Sequence, residues 1–197
     1  MPNSACFFSN CSGNSCTLQC VAYLQYFADR TDAGTYAPDN WLASIAVQDS
    51  TGLRDTQTSL GVEVLTLRAL NIYTGAIDFG QIAVAQNSGT RDATSTITNT
   101  GNSPIDVQVS GTDLIPGVGT HIDVGQQKYA TSTFTYGSCA ICAALSGSAA
   151  NVNVSIPQTY ATTSSSTQDV YWGLNVPTGS PADVYSGSNT FTAVAPP

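Results

Sequence analysis

Six cysteines, grouped four and two, constrain this chain more than any other feature of its sequence. Cys6, Cys11, Cys16 and Cys20 fall within fifteen residues, and Cys139 and Cys142 follow far downstream. An even count at close spacing points to a disulfide framework. Between Cys11 and Cys16, Ser12-Gly13-Asn14-Ser15 is turn chemistry and suits a tight hairpin. About that turn Cys11 faces Cys16, and Cys6 faces Cys20 with one residue of offset, so two nested bridges fit, although four cysteines allow three connectivities. The rival is a zinc site, but spacings of five, five and four lack the C-x2-C knuckles that grip the metal, and no His lies near. Cys139-Ala140-Ile141-Cys142 has redox-dithiol spacing. Thr131–Tyr136 before it reads as a strand, yet Ala143–Ser148 after it is too short and Gly-broken for the helix that would hold a thiolate. The expectation is a loop-closing structural disulfide, and three bridges imply an oxidising compartment.

Around the cysteines the signals are those of strands: short β-branched and aromatic runs cut by Gly, Pro, Asn and Asp. No long 3.6-residue period is present, so the chain reads as all-β. Thr17–Phe27 reads as one long strand and Ala28–Asn40 as a loop. Trp41–Val47 alternates with Trp41, Ala43, Ile45 and Val47 inward; Asp49-Ser50-Thr51-Gly52 gives a turn, and Val62–Leu67 gives a further strand. Residues 1–68 thus form a disulfide-pinned partial β-sandwich with open edges. Residues 69–197 carry about seven strands, near Ile72–Phe79, Asp92–Asn99, Ile105–Ser110, Gln127–Tyr136, Val152–Ile156, Val170–Val176 and Thr190–Val194. That number suits a complete immunoglobulin-like β-sandwich. The Thr162–Thr167 run reads as an exposed loop.

Charge excludes several functions. Five Lys+Arg stand against thirteen Asp+Glu, for a net charge of −8, and the basic residues are scattered singly. No stripe exists to neutralise phosphates, so nucleic acid is not a partner. No apolar run approaches the roughly 20 residues of a membrane helix, so membrane insertion is not expected. Met1-Pro2-Asn3-Ser4 has neither the basic n-region nor the apolar h-region of a signal peptide, which reads as a mature or excised fragment.

Groups able to do chemistry are sparse. His121 is the only His, on the polar face of Gly117–Val124, and no G-x-S-x-G elbow presents a serine to it. Glu63 is the only Glu, so a facing carboxylate pair would need Asp residues that sit mostly in turns. Asp29, Asp32 and Asp39 share one loop, and Asp49 and Asp55 flank another; these are candidate calcium ligands, without the spacing of a calcium loop. Trp41, Tyr171, Trp172 and Tyr185 are candidates for a glycan platform, set against the core roles such rings take in sandwiches. Tyr171 and Trp172 are adjacent, so a strand would turn one of them outward. No catalytic residue and no cofactor is expected.

Ile77-Asp78-Phe79-Gly80-Gln81-Ile82 followed by Thr96–Ser103 resembles the F-G-x-I/V … N-x-G-N pattern of immunoglobulin-like surface modules. Asp169–Gly179, then Tyr185–Ala193, looks like the C-terminal signature of large extracellular proteins of candidate-phyla (ultra-small) bacteria, and the cysteine clusters are similar to theirs too. A more distant likeness is to camelysin-type biofilm fibre proteins, which implies subunits that exchange a strand. These resemblances imply an extracellular or cell-surface structural or adhesive module without catalytic activity. Alternatives are a filament subunit assembled by β-strand donation and a carbohydrate-binding module. Partners would be other protein modules or copies of the chain, met through open β-edges, or glycans.

Overall fold

The computed structural model describes residues 5–13, 15–73, 75–161 and 164–197. Residues 1–4, read above as lacking the features of a signal peptide, Asn14 of the first turn, Thr74 of the Ile72–Phe79 run and Thr162 and Thr163 of the Ser/Thr run lie outside the described residues. The chain is all-β. Its helical pieces, among the described residues, are single 3-10 turns at Gly34–Tyr36, Val124–Gln126 and Tyr136–Ser138. None is long and apolar enough to cross a membrane. The chain divides into two compact units, Met1–Leu67 and Arg68–Pro197.

The first unit holds two antiparallel hairpins. Strands β1 (Ala5–Ser12) and β2 (Ser15–Val21) pair with Cys6 directly opposite Cys20, and the register shifts between Ser9 and Ser12. That shift is a β-bulge, and it absorbs the one-residue offset between the two cysteine pairs. Asn10 takes a φ of 51° there, in the left-handed region that Asn tolerates. Disulfides join Cys6 to Cys20 and Cys11 to Cys16. Strands β3 (Ser44–Gln48) and β4 (Arg54–Thr58) form the second hairpin. Its turn is held by Asp49 Oδ1, which accepts bonds from Thr51 N, Thr51 Oγ1 and Leu53 N.

Three expectations for this unit are corrected. Thr17–Phe27 is not one strand, because the ladder ends where Val21 meets Ala5. Val62–Leu67 makes one bridge, Val62 to Trp41, and no strand. Trp41, Ala43 and Val47 are exposed and only Ile45 is half-buried, so the alternation does not point into a core. Among the unit's described residues only Ala28 and Thr31 are buried, which leaves two hairpins without the shared interior of a sandwich.

The second unit has that interior. One sheet runs in the order β5 (Leu70–Ile72), β6 (Ala93–Asn99), β11 (Thr167–Leu174), β8 (Gln127–Ala130), β9 (Ala143–Ala144). The other runs β10 (Ala150–Asn151), β7 (Asp106–Gly111), β12 (Asn189–Val194). All pairings are antiparallel. Ile97, Tyr129, Val170 and Trp172 from the first sheet meet Val107, Val109 and Phe191 from the second in one cluster, as two packed layers require. Trp172 is fully buried at its centre, with Tyr129 tilted against it at 5.6 Å and Phe191 edge-on at 5.7 Å. Several expected strands shorten: Ile72–Phe79 retains strand only at its first residue, Gln127–Tyr136 stops at Ala130, and Val152–Ile156 is reduced to a bridge between Ile156 and Ile105.

Candidate functional site

The two sheets are closed on one flank and open on the other. Residues 145–149 link β9 to β10, and Leu145 is buried there. On the opposite flank β12 ends its sheet and β5 ends the other. Between them runs Ala76–Ala83, whose Ile77, Phe79 and Ile82 pack on the core while the backbone joins no sheet. The sequence dictates that break. Asp78 Oδ1 accepts a bond from Gly80 N at 2.8 Å, an Asx turn, and Gly80 has a φ of 63°, which favours glycine. Arg91 Nη2 donates to the Gln81 carbonyl at 2.9 Å and fastens the segment.

A cleft of about 920 Å³ lies between this segment and β12. Its far wall is residues 181–189 and Phe191, with Leu114, Ile122 and Leu174 among the side chains beneath. The wall is positioned by close packing. A Cβ on Gly187 would stand 2.8 Å from both the Asp113 carbonyl and Leu114 Cδ2, so only glycine lets the chain enter β12 at that distance. Tyr185 Oη donates to the Pro181 carbonyl at 3.0 Å. Asp183 accepts bonds from Val184 N and Val118 N, and these hold its carboxyl below the usual carboxylate range. Ser95 Oγ is buried at the cleft without a hydrogen-bond partner.

The predicted site residues fall elsewhere. Trp41 lines a cavity of about 280 Å³ with Asp29, Tyr36, Asp39 and Asn40, and its Nε1 donates to the Asp29 carbonyl at 2.8 Å. Asp32 is absent from that lining, and its carboxylate is engaged by Thr66. It accepts bonds from Thr66 N at 2.9 Å and Thr66 Oγ1 at 2.7 Å, which lower its pKa. Among the described residues no three His, Cys, Asp or Glu side chains gather as metal ligands would.

Trp172 is corrected as a ligand candidate, because its ring is sealed in the core. Tyr171 points the opposite way, against Ala130, Phe134, Tyr136 and the disulfide of Cys139 and Cys142. Of the four aromatic candidates, Trp41 alone is exposed, at 37%, and Tyr185, like Tyr171, is half-buried. His121 Nε2 lies 3.3 Å from Asp113 Oδ2 at the surface, while Asp113 Oδ1 accepts from Val124 N.

Open edges were expected in residues 1–68, yet the edge that borders a large cleft belongs to the second unit. Sequence reasoning read Ile72–Phe79 as an ordinary strand and missed it. The available signal was Asp78-Phe79-Gly80, which breaks a strand wherever it forms an Asx turn. Comparison with protein-family models, curated proteins and solved structures finds no match.

Proposed function

We propose that this chain is a non-catalytic structural or adhesive module of the cell surface or extracellular matrix, its second unit an immunoglobulin-like sandwich. The observation that carries the reading is the pairing of all six cysteines in three disulfides, two of them bracing a hairpin exposed on both faces. Such bridges persist in oxidising, extracellular compartments. A hairpin that buries little gains from bridges what it lacks in core. The test is the thiol state and surface display of the natural protein. Protease shaving of intact cells should release the chain with its six cysteines oxidised; free thiols, or a chain reached only after lysis, would sink the reading.

A second reading is a filament subunit built by β-strand donation, favoured by the β12 edge over the cleft, which no strand covers among the described residues. Light scattering across a concentration series together with electron microscopy tests it. Fibres support it, and a monomer at every concentration removes it.

A further inference from the structure

The open flank has a polarity that can be read from the ladder. In an antiparallel pair, residues alternate between turning their backbone groups toward the partner and away from it. Gly111 N donates to Ser146 O and Val107 O accepts from Val152 N, so both turn away from β12. Their opposites across the ladder are Asn189 and Ala193, with Phe191 between them in the same phase. These three residues therefore aim their N–H and C=O groups at the open flank, where among the described residues no strand meets them. The side chains of Phe191 and Ala193 pack toward the core, and Ile77, Phe79 and Ile82 line the facing wall. A row of backbone groups without a partner among the described residues, beside a cleft whose lining mixes Ile77, Phe79, Ile82 and Phe191 with Asp78, Gln81 and Asp183, offers what an added strand requires: main-chain bonds for affinity and pockets for alternate side chains.

We propose that this cleft accepts a β-strand from a second copy of the chain, the donor being Val21–Tyr26. The inference rests on the strand-donation reading and specifies both of its halves. In the first unit, Val21 is the last paired residue of β2, opposite Ala5, residues 22–25 follow it without strand pairing among the described residues, and Ala28 N donates to the Gln25 carbonyl at 2.9 Å, a turn that donation would open. Val21, Tyr23, Leu24 and Tyr26 are all exposed, Tyr23 at 64% and Leu24 at 48%. As a strand, the segment would place Ala22, Leu24 and Tyr26 on one face and Val21 and Tyr23 on the other, so either phase brings apolar side chains to the cleft. Its six residues span about 20 Å when extended, the length of the six-residue β12.

Charge favours this donor. The chain carries −8, yet its first charged side chain is Asp29, so the segment can approach an acidic copy without adding repulsion. The two disulfides of the preceding hairpin hold its base rigid, which lowers the entropy lost on docking. Donor and acceptor are different surfaces, so the contact is head-to-tail, and repetition of such a contact builds a filament unless the rotation closes a ring.

The experiment compares the full chain with a double variant, Tyr23→Asp with Leu24→Asp, which puts a carboxylate on each face of the donor. Assembly is followed by light scattering, and the edge by amide hydrogen exchange at Asn189, Phe191 and Ala193. The parent should assemble and protect those amides as concentration rises. The variant should assemble at least about tenfold more weakly, since an unpaired carboxylate resists burial and the cleft is already lined by Asp78 and Asp183. A synthetic Val21–Phe27 peptide should restore the protection in the variant. A variant that assembles as readily as its parent overturns the donor assignment and leaves strand donation standing. A parent that stays monomeric at every concentration removes both. Amides protected in the monomer regardless of concentration mean the edge is filled within one chain, and also overturn the proposal.

Discussion

Asn99 is a polar side chain placed wholly inside the second unit. It is fully buried, its Nδ2 donates to the carbonyls of Ser103, Ile156 and Pro157, and its Oδ1 accepts from Gly101 N. One side chain thus ties the β6–β7 turn to the segment that follows β10. Asn99→Ala strands several buried polar groups at once and should cost roughly 2–4 kcal/mol in chemical denaturation, since each unsatisfied buried group costs on the order of 1–3 kcal/mol. The two tryptophans should separate cleanly. Trp172→Ala removes the ring between Tyr129 and Phe191 and should cost about 3–5 kcal/mol, with no effect on sugar binding beyond what unfolding causes. Trp41→Ala should leave the second unit's melting unchanged. If the cavity beside Tyr36 and Asp39 holds a glycan, retention on a glycan array should be lost on that change alone. A Trp172→Ala chain as stable as the parent would mean that the core is assigned wrongly.

Legibility at the level of elements follows burial. Strands β6, β7, β11 and β12 lie near their expected positions because each buries one face, and burial is what writes alternation into a sequence. Strand β4, Arg54-Asp55-Thr56-Gln57-Thr58, is exposed at every position and carries no apolar pattern to read. Strands β9 and β10 are two residues each and leave no period at all. Val62–Leu67 shows the converse: a β-rich composition whose Val62 and Leu65 remain exposed and which finds only a bridge. The disulfide hairpin was legible for another reason, since cysteine spacing reports geometry without needing a core. Its dependence on those bonds can be measured. A two-stranded hairpin is marginal in water by itself, and the Cys6–Cys20 loop is worth roughly 3 kcal/mol of lost unfolded-state entropy. Reduction should therefore expose the amides of β1 and β2 to exchange while those of β6, β7 and β11 stay protected. Equal loss in both units would show that the hairpin is not an independent element.

At the scale of the whole molecule, acidity sets when copies can meet. A net charge of −8 spread over a chain with five cations repels a second copy at neutral pH, and the repulsion is long-ranged. Salt shortens its reach, from about 8 Å at physiological ionic strength to about 3 Å at 1 M, so association should strengthen as salt is raised at pH 7. Lowering the pH toward the pI of about 4.1 removes the same charge and should act in the same direction. A second effect opposes it below that point. Asp32, Asp49 and Asp183 have pKa values held below their ordinary 3.8, chiefly by bonds from Thr66 N, from the Thr51 hydroxyl and from Val184 N respectively. A carboxylate whose folded pKa is depressed stabilises the fold above its unfolded pKa, and that contribution is lost as pH falls through the folded value. The turns that these three residues hold should therefore loosen only below about pH 4. Light scattering against pH should rise toward pH 4, with exchange at Thr51, Leu53, Thr66, Val118 and Val184 accelerating only on the acid side. Association that ignores salt at pH 7 would show that charge does not govern the contact. Loosening of those turns between pH 5 and 7 would show that other groups hold them.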